Sequence, residues 1–368
     1  MQLVDVKSLI DEATDYKTAQ ETQLSVSVYV DETAPASLVA HVRSAFASTR
    51  PTVRMTLSYL DRTFMPQADD DIAVVVAGSS AKVGAAAQAI RAIGVPAMVV
   101  TLSPTEVNKR AEDSGCPIPE GDIVAPFEVD EVGIEPFVLV DEAVTSFDER
   151  MGSWIVAVCR EKRLAFAIAF PFMRRPLAID AVQATSLQNA GIGLVPLIPG
   201  ADLPIMTLNQ MKMVLQIAAA YGHDMDIDRW KELAVVVGGA YVCRTLVREL
   251  TEFVPVLGFV IRTGVAYGAT SALGYAVIEY YEGGENVNGV ANVATRAAEA
   301  GGKFASKARK FAADPSSVKV VDKVSGYVPV VRETVNKYVP VVRDAVSEYV
   351  PKVANAAADI VSKAVAAK

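Results

Sequence analysis

Cysteine and histidine are scarce in this sequence: three cysteines (Cys116, Cys159, Cys243) and two histidines (His41, His223) are all that 368 residues hold. The cysteines are odd in number, far apart and without a CxxC pair. That argues against a disulfide framework and against a structural zinc site. Two histidines exclude a histidine-rich metal centre, and His41 falls in an apolar helical stretch as a packed or edge residue, with no Ser or Cys at a spacing that would make it a base. No catalytic constellation and no cofactor chemistry are read from the chain. The first residues, MQLVDVKSLIDEAT, carry no basic segment followed by an apolar stretch, so no secretory signal is read there and a cytoplasmic start is expected.

A clean apolar run of about twenty residues, the length that crosses a bilayer, is missing too. Residues 181–201 carry no charge but contain Gln183, Gln188, Asn189, Pro196 and Pro199, which make a poor simple span. Residues 253–261 and 263–278 are apolar and are separated by Arg262. These stretches read as a buried helical bundle, or as paired helices entering a membrane with their Pro and Gly interruptions shielded by neighbours. Small residues at Gly264, Ala266, Gly268, Ala269, Ser271, Ala272 and Gly274 would let helices approach closely in either setting.

What the chain does have is apolar bulk and segregated charge. The hydrophobic fraction is 51%, and the excess concentrates between Phe166 and Tyr281. The net charge is −8, yet residues 303–368 carry twelve Lys/Arg against six Asp/Glu, a net of +6, which leaves −14 for the remainder. A basic tail on an acidic body is suited to an anionic lipid surface or to its own chain. Nucleic acid is a poor fit, because arginines are few and no aromatic–basic platform is present.

Residues 1–150 read as an α/β domain. Residues 24–30 (LSVSVYV) and 53–60 (VRMTLSYL) alternate and are β-rich, while 72–77 (IAVVVA) and 97–102 (AMVVTL) have the continuous apolar character of strands buried on both faces. Helical patterns at 36–48, 81–93 and 104–114 lie between or after them, which predicts βαβ crossovers and a doubly wound, mostly parallel sheet. Gly94 is placed to end the second helix.

Within this domain Gly78-Ser79-Ser80-Ala81-Lys82-Val83-Gly84 joins a strand to a helix. Main-chain N–H groups at such a junction suit an anion. A phosphate-binding loop needs G-x-x-x-x-G-K-[ST], however, and here Ala85-Ala86 stand where Lys-Ser/Thr should be, so nothing would hold magnesium. A tight strand-to-helix turn is the favoured reading, and a phosphate site at Gly78, Ser79, Ser80, Lys82 and Gly84 is the alternative. Asp69-Asp70-Asp71 reads as a solvated strand entrance, since adjacent carboxylates on a strand alternate faces and converge poorly on one ion. No metal site is expected.

From Met151 the period becomes helical, and 151–284 is expected to form a membrane-type helical bundle. The stretch QATSLQNAGIGLVPLIPGADLPIMTLNQMKMVLQIAAAYG (183–222), with VPVLGFVIRTGVAYGATSALGYAVIEYYE (254–282), resembles a bacterial helical domain of unknown function. That domain occurs in YcjF-like inner-membrane proteins and fused behind Era-type GTPases; the resemblance covers residues 174–282. It implies membrane association on the cytoplasmic side of a bacterial inner membrane and a frequent GTPase context, with no activity to carry over. On that analogy the α/β domain looks like a degenerate GTPase, since MVVTLS (98–103) runs into Pro104 where a guanine-reading Asn-Lys-x-Asp would stand. Asp202, Asn209, Gln210 and Lys212 are the polar residues of the matched block. They read either as helix capping by Asp202 with inter-helix hydrogen bonds by Asn209 and Gln210, or as a ligand site.

The rest, 285–368, is expected to be an amphipathic helical tail. Residues 327–337, 338–348 and 349–359 repeat with an eleven-residue period, opened by Tyr327, Tyr338 and Tyr349 with Pro329, Pro340 and Pro351 two residues on. Eleven residues make three helical turns at about 3.67 residues per turn, so one face recurs. That face carries Tyr327, Val331, Tyr338, Val342 and Tyr349, suited to lying among lipid headgroups or to packing on a partner. The leading expectation is therefore a non-enzymatic, membrane-associated scaffold or regulatory protein, with lipid as a partner and a protein partner met through the α/β domain or the tail. The alternative is a nucleotide-responsive, GTPase-like protein without Walker chemistry.

Overall fold

A computed structural model of the chain describes residues 16–61, 64–127, 135–194, 202–223 and 258–283. The repeats at 327–359, with Tyr327, Val331, Tyr338, Val342 and Tyr349, lie outside the described residues, as does Cys243. The chain divides into two compact units. One comprises Lys7–Asp180 with Ala219–Asp224, the other Met1–Val6, Ala181–Ala218 and Met225–Lys368.

The first unit is built on strands β1 (Leu24–Val30), β2 (Val53–Tyr59), β3 (Ile72–Val76), β4 (Ala97–Val100) and β5 (Ile123–Val124). All described pairings are parallel and the order is β2-β1-β3-β4-β5. Side chains on a strand alternate faces, so the sheet has two cores. Val26, Val28 and Val30, with Ile72, Val74, Val76, Met98 and Val100, face one side. Tyr29, Ala73, Val75, Ala77, Ala97 and Val99 face the other. Helix α1 (Ala36–Ala45) brings Leu38 and Val42 to the first core, while α2 (Lys82–Ala92) and α3 (Pro104–Asp113) bring Val83, Ile90 and Val107 to the second. Gly94, at φ +87°, ends α2 in the left-handed conformation that favours glycine.

The first core takes in more of the chain than the boundary expected at 150. Helices α4 (Asp141–Val158) and α5 (Arg163–Ala169) set Phe147, Met151, Ile155 and Phe166 into it, and Phe170, Met173 and Leu177 follow. Phe46 meets Phe170 and Phe172 edge-on at 5.3 and 5.1 Å. Residues 151–177 are thus a covering layer of the α/β unit and not the start of the helical one.

Helix α6 (Arg174–Leu194) runs from the first unit into the second, and α7 (Asp202–Ala220) and α8 (Gly258–Glu282) follow. Among the described residues no helix is long and apolar enough to cross a membrane. What joins α6, α7 and α8 in the second unit is a buried polar network. The Asn189 amide, fully buried, donates to Thr270 Oγ1 (3.0 Å), and Asn209 Nδ2 donates to Asn189 Oδ1 (3.0 Å). Gln210 Nε2 also reaches Thr270 Oγ1 at 3.0 Å, and Ser271 Oγ meets Ser186 Oγ at 2.9 Å. Gly274 lets α8 close on α6, for a Cβ there would stand 2.3 Å from Val182 Cγ2, whereas one at Gly268 would meet nothing.

Asn189→Leu removes the group that joins all three helices and strands the amide of Asn209. A cost of about 2–3 kcal/mol is expected, read as a lower urea midpoint of the helical circular-dichroism signal. An unchanged midpoint would mean that the network adds nothing to stability.

Candidate functional site

In an open doubly wound sheet, ligands settle outside the carboxyl ends of the strands, where successive connections leave to opposite faces. Here that point lies between β1 and β3: β1 leads into α1 on one face and β3 into α2 on the other. The loop after β3 is the Gly78–Gly84 segment singled out in the sequence, so the strand–turn–helix setting is as expected.

Its amides, however, are already engaged by the chain. Asp31, the residue that follows β1, is 2% exposed. Its Oδ2 accepts from Gly78 N (3.1 Å), Ser80 N (3.3 Å) and Thr33 Oγ1 (2.6 Å). Thr33 Oγ1 in turn accepts from Ser79 N at 2.9 Å. Three successive N–H groups of the kind that cradle phosphate are thus turned onto a carboxylate and a hydroxyl of the preceding loop. The approach is so close that a Cβ on Gly78 would lie 2.3 Å from the Thr33 carbonyl carbon, which is why glycine stands there. Gly84 packs at the Cys116 carbonyl, 2.5 Å from where its own Cβ would be, and so serves helix packing. Lys82 directs Nζ to the Leu60 carbonyl oxygen at 3.4 Å.

The next junction along the edge is filled in the same way. The Glu135 carboxylate accepts from Thr105 N (3.1 Å) and Thr105 Oγ1 (2.7 Å) in the first turn of α3. A carboxylate there meets both the free amides and the positive end of the helix dipole. Asp31, Thr33 and Glu135 were not singled out in the sequence. The visible signal was Asp-x-Thr directly after a buried strand, a turn-forming pair; Glu135 gave none.

The opposite end of the sheet departs from expectation. Asp69-Asp70-Asp71 is not a solvated strand entrance. The Asp70 side chain is 1% exposed and holds Ser25 Oγ (2.5 Å) and Arg54 Nη2 (3.3 Å). Asp71 accepts from Ser25 N and pairs with Lys162 Nζ at 2.6 Å. Asp69 remains exposed, and its hydrogen bond from Arg54 keeps its carboxyl below the ordinary aspartate value and the guanidinium above its own. The triplet is a lock with cationic partners already in place. Beside it, burial and then the charge of Asp71 push the Cys159 thiol up to about 12. His41 Nε2 lies 2.8 Å from Asp148 Oδ1, joining α1 to α4, with the ring against Phe147.

Of the other polar residues expected to matter, Asn209 and Gln210 belong to the network of the second unit. Asp202 is the first residue of α7, and Lys212 is half-buried on the same helix. Among the described residues no group of His, Cys, Asp and Glu could hold a metal ion. No family model, no curated protein and no solved structure matches the chain.

Asp31→Ala leaves the amides of Gly78 and Ser80 without acceptors and should cost about 3 kcal/mol, with Asp31→Asn losing roughly half as much. Chemical denaturation of the three proteins checks the order, and equal stabilities would deny Asp31 this role. The Cys159 thiol stays protonated at pH 8, several units below its raised value, so iodoacetamide should spare it in the native chain and label it in urea. Peptide mass mapping reads this directly, and rapid native labelling would contradict it.

Proposed function

We propose that this protein is a non-enzymatic scaffold or regulatory protein that works against a membrane surface, on the cytoplasmic side of a bacterial inner membrane. The observation that carries the non-enzymatic part is the filled switch point. A sheet of this order offers one favoured place for a ligand, and Asp31 and Thr33 occupy its main-chain donors. An incoming phosphate would displace a buried carboxylate from hydrogen bonds it already makes, and Ala85-Ala86 stand where a phosphate-binding loop places its lysine and its magnesium-holding hydroxyl. The nucleotide-responsive, degenerate GTPase alternative is weakened at the place it requires.

The membrane part rests on the chain's charge and repeats. A tail of net +6 on a body of −14 is drawn to anionic headgroups, and the eleven-residue spacing of Tyr and Val would, on a helix, gather them on one face beside Lys and Arg. The likeness of residues 174–282 to the YcjF-like helical domain agrees with the same location. In this reading the α/β unit presents a protein-binding surface while the tail 285–368 contacts lipid.

Vesicle flotation tests the assignment. The full chain should float with phosphatidylcholine vesicles containing about a third phosphatidylglycerol, stay behind with phosphatidylcholine alone, and be released by about 0.5 M salt as charges are screened. A chain ending at Gly302 should stay in solution. Flotation of that shorter chain would move the anchor to the helical unit, and absence of the full chain from anionic vesicles would end the membrane reading. Calorimetric titration with guanine and adenine nucleotides should be silent; heat from any of them would restore the alternative.

A further inference from the structure

The geometry points to the open edge of β2 as a pairing surface for a second copy of this chain. Strand β2 is a terminal strand of the sheet, in register with β1 over all seven residues from Val53 to Tyr59. Thr52 O accepts from Leu24 N, and Leu60 N donates to Val30 O. Main-chain groups alternate along a strand, so the even-numbered residues turn theirs to β1. Val53, Met55, Leu57 and Tyr59 then turn their N–H and C=O groups away from it. The Val53 N–H donates to Arg50 O (3.2 Å) and the Tyr59 C=O accepts from Asp61 N (2.9 Å). The outer edge is therefore open at both groups of Met55 and Leu57, at the Val53 C=O and at the Tyr59 N–H. Leu57 is 38% and Tyr59 55% exposed.

Exposed edges of this length are normally blunted by charge, proline or a bulge. Residues 55–59 have none of these. The unbroken register leaves no bulge, and the one charged residue of the strand, Arg54, is engaged by Asp69 at 2.8 Å and by Ser25. An edge left open in this way is built to be paired.

The edge fits a copy of itself. Place a two-fold axis perpendicular to the sheet at Leu57, and the second β2 runs antiparallel to the first. Leu57 then faces Leu57 of the second copy, while Met55 faces Tyr59 of that copy on both sides of the axis. These are odd-numbered residues, whose main-chain groups point outward. The two Leu57 residues exchange two hydrogen bonds and the Tyr59 N–H of each copy donates to Met55 O of the other, about four in all, since the Tyr59 C=O is held by Asp61 N. The same residues share one face of the sheet, and their side chains form a continuous apolar row across the axis. Such Met–Tyr and Leu–Leu cross-strand pairs are favourable. On the other face Thr56 lies opposite Ser58 of the second copy. No like charges are brought opposite one another, since Arg54 falls opposite Leu60. Apolar facing, charge and the main-chain groups that Met55, Leu57 and Tyr59 leave open are met by a single axis.

Sedimentation of the full chain, with two substitutions at the exposed Leu57, tests this. The native chain should show a reversible dimer. Leu57→Lys and Leu57→Glu should each weaken self-association about tenfold or more, because like charges then face each other across the axis. An equimolar mixture of the two should restore the dimer, since Lys then faces Glu. A native chain that stays monomeric at all concentrations overturns the proposal. So does a dimer unaffected by either substitution, or a mixture that fails to reassociate; the last would leave the edge to an extended segment of another protein. Hydrogen exchange of the native chain provides a reading that does not depend on the variants. The amides of Leu57 and Tyr59 should lose protection on dilution, and concentration-independent exchange there would also overturn it.

Discussion

At the point where β1 has β2 on one side and β3 on the other, two loops leave the sheet for opposite faces. The main-chain N–H groups between them have no strand partner. Such groups are costly to bury unpaired, about 1–3 kcal/mol each, and the usual answer in sheets of this order is a bound ligand. Here it is Asp31. Its carboxylate ties the end of β1 to the start of α2 through Gly78 and Ser80, and Thr33 takes the amide between them. That one carboxylate ties the beginning of α2 to the end of β1, and the close approach of Thr33 in the same loop is what requires glycine at position 78.

Distant side chains satisfy other open main-chain groups in the α/β unit. Glu135 reaches back to the first turn of α3, thirty residues away in sequence. Asp71 holds the amide of Ser25 at the opposite end of the sheet and is itself held by Lys162. Both ends of the sheet are thereby closed with charge: carboxylates on amides at one, carboxylates between Arg54 and Lys162 at the other. The second unit uses neutral groups instead, with Asn189, Asn209, Gln210 and Thr270 satisfying one another. Neutral amides are cheaper to bury than ions and fix helix positions through directional bonds.

The strands and helices up to α3 were legible because their signals are local. Runs such as IAVVV and AMVV are bounded by Gly, Pro and Asp, and their observed limits fall within a few residues of those read from the sequence. Strand β5, only two residues long, carries no pattern to detect. The boundary at 150 was misplaced for a different reason. A helix packed on a sheet and a helix packed on helices show the same apolar period, so 141–169 could not declare which surface it covered. The aspartate triplet misled because its partners, Arg54 and Lys162, lie 16 and 91 residues away. Asn209 and Gln210 were legible as inter-helix donors, since an amide in apolar company has few other options. The Gly78 loop was recognised as an anion-binding shape, but nothing local revealed that the anion was Asp31.

The two edges of the sheet are unequal in a way that bears on the whole chain. Strand β5 is two residues long, while β2 is seven and carries an apolar row at Met55, Leu57 and Tyr59. Pairing through β2 joins two chains without using either the filled switch point or the second unit. A dimer of this kind would also carry two basic tails. A single amphipathic anchor holds a protein to lipid only weakly, and linking two makes the second contact intramolecular, which raises the combined affinity well above that of either alone. If the tail contacts lipid, self-association through β2 would set how firmly the protein is held, and a switch between monomer and dimer would act as a switch in membrane occupancy.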